Sequence, residues 1–217
     1  MDQRTLPGLS HLQAQSVFCI GRNYVAHAEE LNNDVPDHPM VFLKPHSSLT
    51  FDGPIQLPPQ SENVHHEVEL VAAIGKGGKN IPRHKALSHV AGYAVGIDIT
   101  ARNIQSQAKE KGHPWSVAKG FDTFAPLSSF IPADEIADPQ DIDLSLTVNG
   151  SIRQASNSSL MIFPVAELIH YLSGIFKLQP GDLIFTGTPE GVSPLQSGDN
   201  IQANLGFLNA HLSINVA

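Results

Sequence analysis

Short apolar runs, many of them β-branched, recur along the whole chain at 17–20, 40–43, 64–74, 92–97, 144–148 and 183–186. Runs of this length predict strands, and turn-forming residues punctuate them: Asp52-Gly53-Pro54, Gly75 to Gly78, Asn149-Gly150, Pro180-Gly181-Asp182 and Ser197-Gly198-Asp199. Asn149-Gly150 between two runs predicts a tight hairpin. Helical spacing is rarer. Val165, Leu168, Ile169, Leu172, Ile175 and Phe176 share one face at a 3.6-residue period, with Pro164 placed to start that helix. A short helix is predicted over 23–31 with Asn23 as its N-cap, and a third helical piece over 101–111. The pattern gives an α+β domain, predominantly β, over 16–217. Residues 1–15 read as a loosely attached arm.

The segment VHHEVELVAAIG carries the sharpest polar signal. Alternate side chains of a strand share a face. Val68, Leu70, Ala72 and Ile74 then form an apolar face, while Glu67 and Glu69 point together to the other, ahead of Val71 and Ala73. Two like charges so placed repel, and a dication would relieve them. Oxygen-only ligands favour Mg²⁺, Mn²⁺ or Ca²⁺ over zinc. On spacing alone, a solvated strand face with two ordinary glutamates stays ahead of that reading. His65 shares their parity, which leaves a histidine-containing variant open. Asp98 ends the run AGYAVGID, where an acid entering a loop serves a site or an N-cap equally well.

Composition removes several classes of function. The chain has 217 residues, 13 Lys+Arg against 21 Asp+Glu, a formal charge of −8 and no basic stripe, which argues against nucleic-acid binding. The single cysteine, Cys19, lies within an apolar run and excludes both an internal disulfide and a cysteine-rich zinc site. Neither a signal-like N-terminus nor an apolar stretch of membrane-spanning length is visible, so a cytoplasmic protein without membrane contact is expected.

Six blocks in order, GRNY–HAEE, KPHSSL, HHEVEL, GIDITARNIQ, AKGFD and PGDLIFTGTPEGV, resemble the fumarylacetoacetate hydrolase family, and within it the short single-domain acylpyruvases, oxaloacetate decarboxylases or tautomerases, and 2-hydroxyhepta-2,4-diene-1,7-dioate isomerases. The resemblance runs from about Val17 to the C-terminus. It implies a mixed β-sandwich roll with a few short helices, a catalytic domain over 16–217, a homodimer, and a Mg²⁺ or Mn²⁺ ion on Glu67, Glu69 and Asp98. It makes Lys119 a substrate-facing cation and places Arg102, Gln105 and Thr188 at the substrate; in the GTPEG loop, Thr186, Thr188 and the amides around Gly187 can hold a substrate carboxylate. Asn103, Leu160 and Ser193 depart from the family's usual Asp, Asp and Gly. They bear on substrate preference and not on the three acids.

A 2-oxo acid can chelate a dication through its carboxylate and keto oxygen, and negative charge that develops on the keto oxygen is then stabilised electrostatically. His27 and Glu30, three apart on a short helix, can face each other. Glu30 would orient His27, and His27 would deprotonate water. The resemblance associates such a pair with hydrolytic or decarboxylating members, which puts hydrolysis of a C–C bond in acylpyruvate-type 2,4-dioxo acids first, with oxaloacetate decarboxylation at the same site. The rival is an isomerase or tautomerase of 2-oxo diacids, which needs no hydrolytic water. A non-catalytic 2-oxo acid or metal binder is the third reading, and it leaves His27, Glu30 and Lys119 without a purpose.

Overall fold

The structure is a computed structural model that describes residues 5–31, 33–206 and 210–217. Its centre is a six-stranded mixed sheet. Across the sheet the order is Ile131–Pro132, Val90–Ile97, Val68–Ile74, Leu183–Phe185, Val17–Gly21 and Met40–Lys44. Neighbours run antiparallel except Leu183–Phe185 against Val17–Gly21, which is parallel. A second, antiparallel sheet orders Ser151–Asn157, Asp143–Val148, Asn200–Leu205 and His211–Asn215.

The alternation in the central strand explains the packing. Val68, Leu70, Ala72 and Ile74 join Leu144, Leu146, Ile201, Ala203 and Ile214 of the second sheet in one core. Val71 and Ala73 face the opposite way, into a second core with Val17, Cys19, Leu183 and Phe185. Both faces of the large sheet are therefore covered, and burial of each large aliphatic side chain contributes about 1.5–3 kcal/mol. Leu70 is fully buried, so Leu70→Ala would cost about 2–5 kcal/mol.

Of the expected arm, residues 5–15 do not hang loose, and residues 1–4 lie outside the described residues. Thr5–Leu6 and Leu9–Gln13 form a hairpin, and Leu6, Leu9 and Leu12 are buried in the second core. Those leucines supply the apolar cover that the second face of the sheet requires. The predicted strand 64–74 breaks in two. Val64–His65 pairs with Thr100–Ala101, and only Val68–Ile74 belongs to the large sheet. The Asn149-Gly150 hairpin forms as expected, both residues at positive φ (52° and 76°).

Among the described residues there are four α-helices: α1 (Val25–Glu30), α2 (Arg102–Glu110), α3 (Ser116–Lys119) and α4 (Val165–Ile175). In α4, Val165, Leu168, Ile169 and Leu172 face the core, while Ile175 is exposed and Phe176 lies beyond the helix end. Asn23 does not cap α1, whose N-cap is Tyr24. Its side chain instead donates to Thr186 O (2.7 Å) and Phe163 O (3.0 Å) and accepts from Phe163 N (2.7 Å). The amide that suits a cap here clamps two loops together. Cys19 is fully buried, and burial pushes its thiol pKa well up, which suits a packing role.

Candidate active site

Glu67 lies in the break before the central strand, Glu69 is that strand's second residue, and Asp98 directly follows its neighbour Val90–Ile97. The register pairs Val68 with Ile97 and Glu69 with Gly96, and the Asp98 amide donates to the Glu67 carbonyl at 2.8 Å. Antiparallel pairing thus sets the end of one strand beside the start of the other. One carboxylate oxygen from each acid lies within 4.8 Å of the others, and all three residues are buried. Asp98 does not cap α2, since Ala101 holds that position. His65 stays outside the cluster and bonds Asn63 Oδ1 through Nε2 (2.8 Å).

Charge is distributed unevenly over the three acids. Lys119 Nζ bridges Glu67 Oε2 (2.8 Å) and Asp98 Oδ2 (2.6 Å). Arg102 Nη2 donates to Glu67 Oε1 (2.6 Å), and Lys44 Nζ lies 2.7 Å from Asp98 Oδ1. Burial alone would raise the Glu67 pKa, but Lys119 and Arg102 outweigh it and hold the carboxyl well below its ordinary range. Burial would likewise lower the Lys119 pKa, but Asp98 and Glu67 raise it and keep the ammonium charged. Glu69 differs. Its bond partner is the Gly187 amide (2.7 Å), and burial with the Asp98 and Glu67 charges pushes its pKa well up. Without a cation the site therefore favours a proton on Glu69, the one acid of the three that no lysine or arginine pairs among the described residues.

Three convergent, buried acids, one of them without a lysine or arginine partner among the described residues, fit a hard divalent cation that displaces the proton. Lys44 was not singled out as a site residue. It is buried, and its ammonium also donates to Ile99 O (3.0 Å), Lys119 O (2.5 Å) and Phe124 O (2.8 Å). A lysine that closes an apolar strand was the available signal. Ser48 of the KPHSSL block is buried and does not line the cleft above the acids.

The cleft above the acids takes in His27, Arg102, Gln105, Lys119 and Thr188, so the sequence-derived site residues converge. Arg102 Nη1 donates to Gln105 Oε1 (2.8 Å) one turn along α2. His27 Nδ1 lies 3.5 Å from Glu30 Oε2 across one turn of α1. Burial lowers the His27 pKa, Glu67 and Glu30 pull it back, and Arg102 opposes them. Glu30 in turn accepts from the Gly191 amide (3.1 and 3.2 Å), which ties α1 to the 187–191 loop. Gly187 does not offer its N–H to the cleft, because Glu69 takes it. Its φ of 99° and an imagined Cβ only 2.6 Å from Asn23 Cβ require glycine there. Thr186 Oγ1 donates to Leu70 O (2.8 Å) and is also committed.

Gln154 carries no sequence signal, yet it organises this loop. Its Nε2 donates to Thr188 Oγ1 (2.8 Å) and Pro189 O (2.9 Å), and its Oε1 accepts from Val68 N (3.0 Å) and bonds His66 Nδ1 (2.9 Å). No helix among the described residues is long and apolar enough to cross a membrane.

A mixed β roll with a buried carboxylate triad beside a lysine and a histidine–glutamate pair defines a class of acid-binding enzyme site. The chain belongs to the fumarylacetoacetate hydrolase family: the family model for the fumarylacetoacetate hydrolase C-terminal domain matches residues 16–213. It is 47% identical to the oxaloacetate tautomerase FAHD1 of Arabidopsis thaliana, over 89% of this chain and 87% of that protein. It is 45% identical to the oxaloacetate decarboxylase of Dictyostelium discoideum, over 93% and 94%. Both relatives are described as mitochondrial, unlike the cytoplasmic protein expected here. Among solved structures, a fumarylpyruvate hydrolase from Pseudomonas aeruginosa in complex with Mn²⁺ and pyruvate superposes with a TM-score of 0.91 at 42% identity, covering 95% of this chain and 91% of that one.

Proposed function

We propose that the protein enolises 2-oxo dicarboxylic acids of the oxaloacetate type at a divalent-metal site formed by Glu67, Glu69 and Asp98. The observation that carries this reading is that Glu69 has no lysine or arginine partner among the described residues, within a triad whose other two members are already paired. Mg²⁺ or Mn²⁺ suits the oxygen-only donor set, and the Mn²⁺ named with the Pseudomonas aeruginosa structure supports the choice. Such an ion would supply Lewis acidity to the keto oxygen.

The protein's own groups do the rest. The Lys119 ammonium, held at the triad by Glu67 and Asp98, stabilises negative charge that develops on the substrate's oxygens. Arg102 and Gln105 lock each other and orient the bound acid. His27, kept neutral by burial, takes the proton from the carbon next to the keto group, and Glu30 fixes its ring. Returning that proton at oxygen or carbon gives tautomerisation. The curated relatives named for oxaloacetate move this reaction ahead of the hydrolysis first expected. Hydrolysis of acylpyruvates remains the second reading, because His27 with Glu30 is also suited to activating water and the solved relative is a fumarylpyruvate hydrolase.

We also propose a homodimer. In support, Met40–Lys44 is an edge strand, and exposed Leu43 and Ile175 border the same apolar groove. Sedimentation at micromolar concentration tests it, and a monomer would refute it.

The purified protein is to be incubated with Mg²⁺, with Mn²⁺ and with chelator. Enol and keto oxaloacetate, acetylpyruvate and fumarylpyruvate are offered, and products are followed by NMR. Metal-dependent keto–enol interconversion of oxaloacetate is expected. Acylpyruvate cleavage without interconversion would replace the first reading with the second. Turnover unaffected by chelation would remove the metal from both.

A further inference from the structure

The same cleft is also lined by a group of hydrogen-bond donors that the chemistry above does not use. Arg22 and Lys109 line the cleft together with Asn33. Arg22 Nε and Asn33 Nδ2 are buried with no acceptor among the described residues. Lys109 Nζ lies 5.4 Å from the centre of the Trp115 ring, which also lines the cleft. Partial burial lowers the Lys109 pKa, and the Arg22 and Arg102 charges lower it further, so these cations crowd one another. In a chain of net charge −8, such crowding is not a general surface property. Arg22 also adopts a φ of 58°, uncommon for a non-glycine residue, directly before the Asn23 clamp that fixes its backbone.

Buried N–H groups without acceptors are costly unless a ligand supplies the acceptors. Every group here is a donor and two of them are cations, so the matching ligand group is an anion. Glu67 cannot serve, because Arg102 and Lys119 already hold it. We infer that Arg22, Asn33 and Lys109 form a specificity subsite for the second carboxylate of a 2-oxo dicarboxylic acid whose 2-oxo end lies at Glu67, Glu69 and Asp98. The inference rests on the proposed function for where that 2-oxo end lies. A planar arginine suits a carboxylate through paired donors, and Lys109 on the rim adds charge from solvent. Monocarboxylic acylpyruvates would reach the triad but leave these donors unmatched. The subsite thus favours diacids within a site whose chemistry alone would accept either class.

The test is binding to Mn²⁺-loaded protein by calorimetry, with 2-oxo diacids of increasing chain length matched against 2-oxo monoacids of equal length. At one length the diacid is expected to bind about 10–100-fold more tightly, the range for a charge-assisted contact. Arg22→Gln should shrink that ratio to within about threefold of unity. Lys109→Gln, at an exposed position where folding is not at risk, should reduce it by a smaller factor and make it less salt-dependent. Equal affinity of diacid and monoacid at every length overturns the subsite. So does an Arg22→Gln protein that loses both classes equally, since that marks a backbone role. If Mn²⁺-loaded protein binds neither class, the proposed function fails together with the subsite. Diacid binding without preference overturns the subsite alone.

Discussion

Glu69 accepts a hydrogen bond from the Gly187 amide at 2.7 Å while its carboxylate shares a 4.8 Å cluster with Glu67 and Asp98. Lys119 pairs with the other two acids, and burial beside their charges disfavours ionisation of Glu69. Its folded-state pKa is raised, so the folded protein holds a proton that the unfolded chain releases, and stability falls as pH rises above the ordinary carboxylate range. Glu69→Gln keeps an oxygen for the Gly187 amide and removes the acid whose protonation folding requires. The metal-free variant should melt about 2–6 °C higher than the parent at pH 7, as expected for relieving a strained functional site by about 1–2 kcal/mol. It should also lose the stabilisation that Mn²⁺ gives the parent. Calorimetric melting with and without Mn²⁺ checks both, and an unchanged Mn²⁺ shift would separate Glu69 from metal binding.

Lys119 presents the opposite case. Its ammonium bridges Glu67 and Asp98 in a buried setting, so Lys119→Met leaves two carboxylates with less compensation. Breaking such a pair from one side costs about 3–5 kcal/mol. Urea unfolding should show that loss in the metal-free variant and a smaller one in Mn²⁺, because the dication neutralises the same acids. Turnover of oxaloacetate should fall at least about 100-fold in either condition. Retained activity with restored stability would confine Lys119 to a structural role.

His27 separates the two candidate reactions. His27→Ala should bind Mn²⁺ as the parent does and lower proton transfer about 100–10,000-fold. Glu30→Gln should cost less, since it removes orientation and leaves the base. The Gly191 contact to Glu30 predicts that this variant also loosens the 187–191 loop, which would appear as a raised KM. Unaltered rates in His27→Ala for both tautomerisation and cleavage would exclude the pair from the chemistry.

Much of this site is readable from residue types along the chain, and the reasons are physical. The two-residue spacing of Glu67 and Glu69 points both to one site, and the structure brings them together there with Val71 and Ala73 beyond, although only Glu69 lies within the strand and Glu67 sits in the break before it. The one-turn spacing of His27 and Glu30 is equally local. The partners of these groups are not local. Lys44 reaches Asp98 across 54 positions of chain, and Gln154 reaches His66 and Thr188 from another sheet. Asn23 has the chemistry of an N-cap and spends it on loops that folding brings near. The break at His66 was hidden because both halves are strand-like. It appears only when Thr100–Ala101 competes for Val64–His65.

The histidines give stability a defined pH dependence. Burial lowers the His65 pKa to about 4, and burial also lowers those of His66 and His27. A lowered folded-state value means that the unfolded chain binds more protons, so stability falls as pH drops from about 6.5 towards 4. Glu69 acts in the reverse sense over the same interval, since its raised pKa favours the folded state on acidification. The cleaner measurement is therefore made in the Glu69→Gln background. Its melting temperature should decline steadily from pH 7 to 4.5, above the range where Glu67 begins to take up protons. His65→Gln should flatten part of that decline. A flat profile in the Glu69→Gln protein would show that the three histidines charge in the folded state as readily as in the unfolded chain.

Gln154 provides the last prediction, because it joins the second sheet to the site without touching the acids. Its amide spends donors on Thr188 and Pro189 and its oxygen on Val68 N and His66. With Gln154 Oε1 already accepting from Val68 N, His66 donates from Nδ1 and accepts the Ser193 hydroxyl at Nε2 (2.8 Å). Gln154→Met fills the same space and leaves those partners unmatched, which should cost about 2–4 kcal/mol. Thr188 would then lose the bond that aims its hydroxyl, while Glu67, Glu69 and Asp98 keep theirs. Mn²⁺ affinity should stay within about twofold of the parent, and KM for oxaloacetate should rise about 5–20-fold with kcat changed less. Equal losses in KM and Mn²⁺ affinity would instead mean that the second sheet supports the triad itself.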